Sequence, residues 1–172
     1  MSQTEITVLD AAAAQAAIDE LCAVLVDCVE GGASVSFMLP FDRADAQKFF
    51  DNVIASVARN ETVLVAAKRD GRIVGTVLVG LDMPPNQPHR GDIKKLLVHR
   101  AARKLGLGGA LMRRAEAEAK ARGRSLLVLD TADAAAERLY VRAGWQRVGT
   151  VPDYAMWPQG GFCDTVFFWK RI

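Results

Sequence analysis

Apolar residues along this chain recur with two periods, and the switches between them mark out its elements. Ile6-Thr7-Val8-Leu9 reads as a short strand. Behind Asp10, the alanine- and leucine-rich run Ala11 to Val29 predicts one long helix closed by Gly31-Gly32. Phe49, Phe50, Val53, Ile54 and Val57 return at helical spacing after Asp42, so a second helix is expected over Arg43 to Arg59. The period then shortens. Thr62 to Lys68 and Ile73 to Leu81 are β-rich runs flanking Arg69-Asp70-Gly71-Arg72, and Asp-Gly between such runs predicts a hairpin. Gly91 to His99 reads as a fourth strand. Gly106 to Arg122 reads as a helix stopped by Gly123, and the nearly all-apolar Ser125 to Asp130 as a buried central strand. A last helix runs to Arg142, with Thr131 or Asp133 as its cap and Gly144 as its stop. Strands over Trp145 to Val151 and Thr165 to Trp169 close the chain.

Two connections stand out. Ala33 to Pro40 is apolar, punctuated by serines and closed by proline, which reads equally as an ordered functional loop or as a plug under the first helix. Asp82 to Arg90 carries three prolines and cannot be regular structure. The order of elements predicts an α/β (α+β) fold with a strand–helix–strand unit inside a mixed sheet, as one domain over residues 1–172. No repeat or linker interrupts it.

Composition narrows the classes. Hydrophobic residues make up 51% and charged residues 24%, as in ordinary globular chains, and the net charge of +2 gives no track for nucleic acid. The charge is local instead: Lys94, Lys95, His99, Arg100, Arg103, Lys104, Arg113 and Arg114 crowd a glycine turn in sequence, which suits a small polyphosphate. Cys22, Cys28 and Cys163 form no CxxC pair and only two histidines accompany them, so no zinc site or other metal is expected, and the thiols fit a reducing cytoplasm. The N-terminus has no basic region ahead of an apolar core, and no apolar run nears the ~20 residues of a spanning helix. A cytoplasmic protein without a membrane partner is the expectation.

The glycine turn itself is Gly106, Gly108 and Gly109, between an apolar strand end at Leu96, Leu97 and Val98 and a helix. Helix-start N–H groups lack internal partners, and the macrodipole favours an anion there, so the turn can hold a phosphate. A P-loop would need a lysine after the last glycine followed by Ser or Thr. A dinucleotide fold would need a third glycine where Leu111 stands. Taken alone, one or two of these glycines can also serve close helix packing.

Arg103-Lys104-Leu105-Gly106-Leu107-Gly108, after a strand and before a long helix, resembles the acetyl-CoA motif of the GCN5-related N-acetyltransferases (GNAT). Leu139-Tyr140 followed by Gly144-Trp145 resembles that family's second motif. The resemblance covers almost the whole chain. It implies a GNAT fold: a mixed, mostly antiparallel seven-stranded sheet with a central parallel pair formed by strands four and five, and helices on both faces. A narrower resemblance, carried by Gly31 to Met38, Lys95 to Val98, Leu129-Asp130-Thr131 and Arg147-Val148-Gly149-x-x-Pro152-x-Tyr154, is to the tabtoxin-resistance type, which acetylates an amino-acid-like toxin.

The resemblance implies acetyl-CoA as cosubstrate and a small-molecule amine as acceptor, handled by a monomer or homodimer. It implies that main chain of Leu96, Leu97 and Val98 pairs with the pantetheine arm. Amides of Lys104, Leu105, Gly106, Leu107, Gly108, Gly109 and Ala110 would take the pyrophosphate, with Arg103 as a nearby charge. A protonated amine must lose a proton before attack, and two carboxylates are candidates. Asp92 stands four residues before Leu96, where many members carry a glutamate base; even spacing places Asp92, Lys94 and Leu96 on one face. Asp130 ends the central apolar strand, at the edge where ligands bind in such sheets, or else caps the last helix. Tyr140 matches the tyrosine that can protonate the departing thiolate, or else is a core aromatic. Asp27, Glu30 and Asp42 can attract an ammonium group, and His89 or Arg90 a carboxylate. The pocket borders expected from topology are the Gly31–Met38 loop, the proline loop and the Tyr154–Trp157 hairpin. Alternatives are another acceptor (polyamine, aminoglycoside or protein amine) and a non-catalytic acyl-CoA-binding sensor.

Overall fold

A computed structural model describes residues 3–172. Seven strands form one sheet in the order β1-β2-β3-β4-β5-β7-β6. They are β1 (Thr4–Leu9), β2 (Thr62–Arg69), β3 (Arg72–Gly80), β4 (Arg90–Val98), β5 (Leu126–Thr131), β6 (Gln146–Met156) and β7 (Phe162–Arg171). All neighbours are antiparallel except β4 and β5.

Strand β2 shows why the sheet is covered on both sides. Val63, Val65 and Ala67 enter one core, while Leu64 and Ala66 enter the other. The first core lies under helix α4 (Leu107–Ala121), through Leu107, Leu111, Met112, Ala115 and Ala119, and under Tyr140 of α5 (Ala134–Arg142). The second lies under α1 (Ala11–Ala16), α2 (Ile18–Glu30) and α3 (Arg43–Ala58). A strand buried on both faces has no polar side to show, hence the continuous apolar run.

The expected long first helix is two helices, interrupted at Ala17. No proline or glycine stands there. The two pieces pack against different strands, α1 on β1 and α2 on β3 and β4, so tertiary contacts set the break. Helix α3 opens with a reciprocal cap between Asp42 and Asp45. At Asp70-Gly71 both residues have positive φ, as the hairpin turn requires. Strand β6 runs past Val151 to Met156, beyond the expected end, and carries Pro152. Being the outermost strand, β6 tolerates a residue without an N–H. Among the described residues no helix is long and apolar enough to cross a membrane.

Candidate active site

The site begins with a break in a ladder. Strands β4 and β5 pair only through Arg90, Gly91 and Asp92, opposite Leu126, Leu127 and Val128. Both continue, β4 to Val98 and β5 to Thr131, without further pairing between them. Past Asp92 the sheet therefore opens into a cleft, with unpaired main chain of β4 on one wall and the tip of β5 on the other. Main-chain N–H and C=O groups left in such a gap need partners, and an extended ligand arm can supply them.

A bulge lies on the open wall. Thr76 of β3 faces Leu97 and Leu78 faces Lys94, so three steps along β4 match two along β3, and Lys95 takes a φ of 52°. The extra residue inverts the alternation, which explains why Ile93 enters the first core and Leu97 the second although they are an even step apart. This corrects the expected common face of Asp92, Lys94 and Leu96. Asp92 pairs with Gly80 and Lys94 with Leu78 on the second-core side, whereas Leu96 packs against the first core. It also removes Lys94 and Lys95 from the basic cluster around the glycine turn, because α4 covers the other face.

Lys95 is carried to the second-core side as well. Its Nζ donates to Ser36 Oγ at 2.9 Å and lies 5.6 Å and 5.9 Å from the ring centroids of Phe37 and Phe49. Burial pushes its ammonium down to about 8; the charge of Asp130 opposes that shift and Lys94 adds to it. The sequence held a signal for this residue. Two adjacent lysines in a regularly alternating strand would face opposite sides, which puts one of them under α4.

Asp130, exposed at the tip of β5, accepts a hydrogen bond from the buried Thr165 Oγ1 at 2.8 Å. It does not cap α5. Asp133 does, accepting from the N–H groups of Ala135 and Ala136 at 2.6 and 3.0 Å, while Thr131 Oγ1 accepts from Asp133 N–H at 3.1 Å. Asp92 sits at the closed end of the cleft and pairs with Arg90. The proline loop lies at that end too: Ser125 N–H donates to His89 O at 2.8 Å, and Arg124 holds the carbonyls of Pro88 and Leu81. His89 and Arg90 therefore lie at the closed end and not at the open mouth expected from topology. Asp27 is engaged as well, accepting from Arg100 N–H at 2.7 Å and Arg100 Nε at 2.9 Å, which ties α2 to the turn Arg100–Ala102 before the glycines.

Tyr140 is buried in the first core, with its ring 6.0 Å from Trp145 and 5.7 Å from Phe168. The corner behind it is locked. Trp145 Nε1 and Lys170 Nζ both donate to Glu116, at 2.9 and 2.7 Å, and Lys170 also donates to Ala143 O at 2.7 Å. No protein group hydrogen-bonds the Tyr140 hydroxyl among the described residues. Burial pushes its phenol up, and the charges of Asp133 and Asp130 push it further, so the hydroxyl keeps its proton at neutral pH. Lys95 on one face of the sheet and Tyr140 on the other both feel the charge of Asp130.

The three glycines have three different reasons. Gly106 is the N-cap of α4 with a φ of 77°, a left-handed conformation that side chains resist. A Cβ on Gly108 would stand 2.9 Å from Leu139 Cδ1, so this glycine lets α5 approach α4. A Cβ on Gly109 would meet only Arg113 Nη1, at 3.4 Å. No side chain caps α4, so its first N–H groups keep no partner from the cap residue. Leu107 points into the core and anchors the turn. Arg103 Nε donates to Val98 O at 3.1 Å, and the Cys28 thiol donates to the same carbonyl at 3.5 Å, so that acceptor is already used by the protein.

The other border is a bridge. In the loop between α2 and α3, Ser34 Oγ donates to Met156 O at 3.3 Å and Leu39 N–H donates to Pro158 O at 2.9 Å. The loop thus crosses from the helical side to the β6–β7 hairpin, close to where Lys95 meets Ser36.

Comparison with known proteins follows the same lines. A 38% identical match over 82 residues joins 48% of this chain to 35% of an N-terminal acetyltransferase complex ARD1 subunit homologue of Dictyostelium discoideum. The chain thus spans about a third of that relative. An IAA acetyltransferase of Azospirillum brasilense is 29% identical over 113 residues, 64% of this chain and 72% of that protein. A phosphinothricin acetyltransferase of Sinorhizobium meliloti, solved in complex with acetyl-CoA, superposes with a TM-score of 0.79 over 98% of this chain and 88% of that one; at 16% identity this speaks for the fold. The family model for the acetyltransferase (GNAT) family matches residues 31–145, from the bridging loop through β4 and the glycine turn to Trp145, and the chain belongs to that family.

Proposed function

We propose that this protein is an acetyl-CoA-dependent N-acetyltransferase that acetylates the amine of a small amino-acid-like acceptor by direct transfer. The observation that carries the reading is the cleft past Asp92. It offers unpaired strand edge to an extended arm, uncapped helix N–H groups to a phosphate, and a carboxylate at its mouth, with the protonated phenol of the buried Tyr140 within electrostatic reach of that carboxylate. These features fit acetyl-CoA, with Leu96 and Leu97 main chain for pantetheine and the Lys104 to Gly109 amides for pyrophosphate, the Ala110 N–H of the expected set being already donated to Gly106 O at 3.2 Å. Arg103 serves as the nearby cation, and a role for Val98 through its carbonyl would require displacing Arg103 and Cys28. When bound, acetyl-CoA supplies a thioester carbonyl and a thiolate leaving group.

The chain's own groups do the rest. Asp130 accepts the proton of the incoming ammonium, oriented by the Thr165 hydroxyl. Tyr140 holds a proton on Oη that it can deliver to a departing thiolate, and its buried ring is fixed by Trp145 and Phe168. Asp92, paired with Arg90 where the strands still touch, serves the closed end of the cleft. The bridge from Ser34 and Leu39 to the β6–β7 hairpin narrows the mouth, which favours a small acceptor, and the tabtoxin-resistance resemblance points to an amino-acid-like one, toxin or antibiotic. The Dictyostelium match supports a second reading, in which the acceptor is a protein amine.

The test is thiol release from acetyl-CoA across amino acids, polyamines, aminoglycosides and peptide N-termini. Release with amino acids is the expected result. Tight acetyl-CoA binding without release for any amine would replace the enzyme by a sensor.

A further inference from the structure

The geometry points to Lys95 and Ser36 as a carboxylate-binding site that makes this protein specific for acceptors with a free carboxylate, that is, zwitterionic amino acids. The inference rests on the acetyltransferase reading and names the substrate class of that site.

Four observations carry it. The bulge at Lys95 puts two consecutive β4 side chains on one face, and bulges beside functional sites commonly re-aim a side chain. A lysine that followed the alternation would point under α4, into the first core. The re-aimed ammonium then has a hydroxyl and two aromatic faces as neighbours, and no carboxylate within ion-pair distance among the described residues. A half-buried cation in such a setting lacks a counter-ion, and a ligand carboxylate supplies one. Asp130 on β5 stands across the opened ladder from Lys95 on β4 and forms no ion pair with it, so the mouth presents a separated positive and negative group. A short zwitterion fits that pattern in one orientation: its carboxylate on Lys95 and Ser36, its amine on Asp130. Finally, Ser36 and Phe37 belong to the loop that bridges to the β6–β7 hairpin, so they sit where an acceptor must enter. Ser36 itself takes a φ of 79°, a conformation that residues with side chains rarely adopt. A polyamine would bring a second cation beside Lys95 and be repelled.

The experiment compares each of the twenty α-amino acids with its α-amide as acceptor, in the wild-type protein and in Lys95→Met and Lys95→Arg. The wild type should favour at least one acid over its amide by about tenfold or more in kcat/KM, as expected for a charge-assisted pair. Lys95→Met should erase the preference by raising KM for the acid far more than for the amide, and Lys95→Arg should restore part of it. Amides used as well as acids, or equal losses on both in Lys95→Met, would overturn the inference. Labelling of Lys95 by trinitrobenzenesulfonate, followed by peptide mapping, is independent of turnover. N-acetyl amino acids without a side-chain amine, the products of the proposed reaction, do not consume the reagent and should protect Lys95, whereas their N-acetyl amides should not; equal protection, or none from any acid, would again overturn it. Absence of thiol release with every amine would defeat the acetyltransferase reading instead, and the protection experiment would still decide the carboxylate site.

Discussion

The two walls of the cleft are built from different materials. The α4 side is main chain: an unpaired strand edge, a left-handed glycine and helix N–H groups, all between Leu96 and Ala110. The opposite side, where we place the acceptor, is side chains drawn from distant stretches: Ser36 and Phe37 from a loop, Phe49 from α3, Lys95 from a bulge, Asp130 from β5 and Thr165 from β7. A main-chain wall suits a ligand that does not vary, because its contacts are indifferent to most substitutions. A side-chain wall is the place where one member of a fold can differ from the next. Substitutions should therefore separate cleanly into those that change handling of acetyl-CoA and those that change the acceptor or the proton transfers.

The largest effects should come from the groups around the tip of β5. Asp130→Asn and Tyr140→Phe should each lower kcat by about 10²-fold, the usual contribution of a positioned acid or base, with little change in KM for acetyl-CoA. Both replacements keep the local packing. Asp92→Asn should change kcat less than about threefold, because its partner Arg90 lies at the closed end. Steady-state kinetics on the three variants decide the matter, and a large kcat loss in Asp92→Asn with an unaffected Asp130→Asn would reverse the assignment.

On the opposite wall, Gly106→Val forces a β-branched residue into a φ of 77°. It should destabilise the protein by about 1–2 kcal/mol and raise KM for acetyl-CoA well above tenfold, leaving the ranking of acceptors as it was. Thermal unfolding with cosubstrate titration measures both. A changed acceptor ranking would mean that the two walls are not independent.

A smaller effect concerns stability, and its sign depends on pH. Lys95 carries its proton less readily folded, with a pKa of about 8, than unfolded. Below pH 8 the folded protein holds a poorly solvated ammonium. As pH rises from about 8 toward the unfolded value the unfolded chain binds more protons, so wild-type stability gains from this group. Lys95→Met should thus be more stable than wild type near neutral pH by about 1 kcal/mol. The gap should shrink between pH 8 and 10. Melting temperatures of both proteins across that range test this, and a gap that widens with pH would remove the buried cation as its cause.

Much of the first wall was legible in the chain because its causes are local. Asp-Gly demanded the hairpin, glycine with basic residues marked the helix start, and Tyr140 with Gly144-Trp145 supplied the second motif. The second wall was not legible. Periodicity assumes that a strand alternates, so it placed Asp92 with Leu96 and left Lys95 among the phosphate-facing charges. One inserted residue inverted both assignments. Chain order alone likewise puts the proline loop at the mouth, whereas His89 and Arg90 bind the start of β5 at the other end. Ala17 teaches the same lesson on a smaller scale, since nothing in an alanine-rich run announces that its halves will pack on different strands.

By itself the sequence determined the order of the elements, the hairpin turn, the glycine helix start and the family to which these point. Hydrophobic period, turn chemistry and capping act over a few residues and so are written in neighbouring letters. The tertiary structure alone decided how far β4 and β5 stay paired, where the bulge turns Lys95, and which carboxylate stands at the open end. Those outcomes depend on how twist, register and two separate cores are reconciled across the whole sheet. A single strand's pattern does not contain that information.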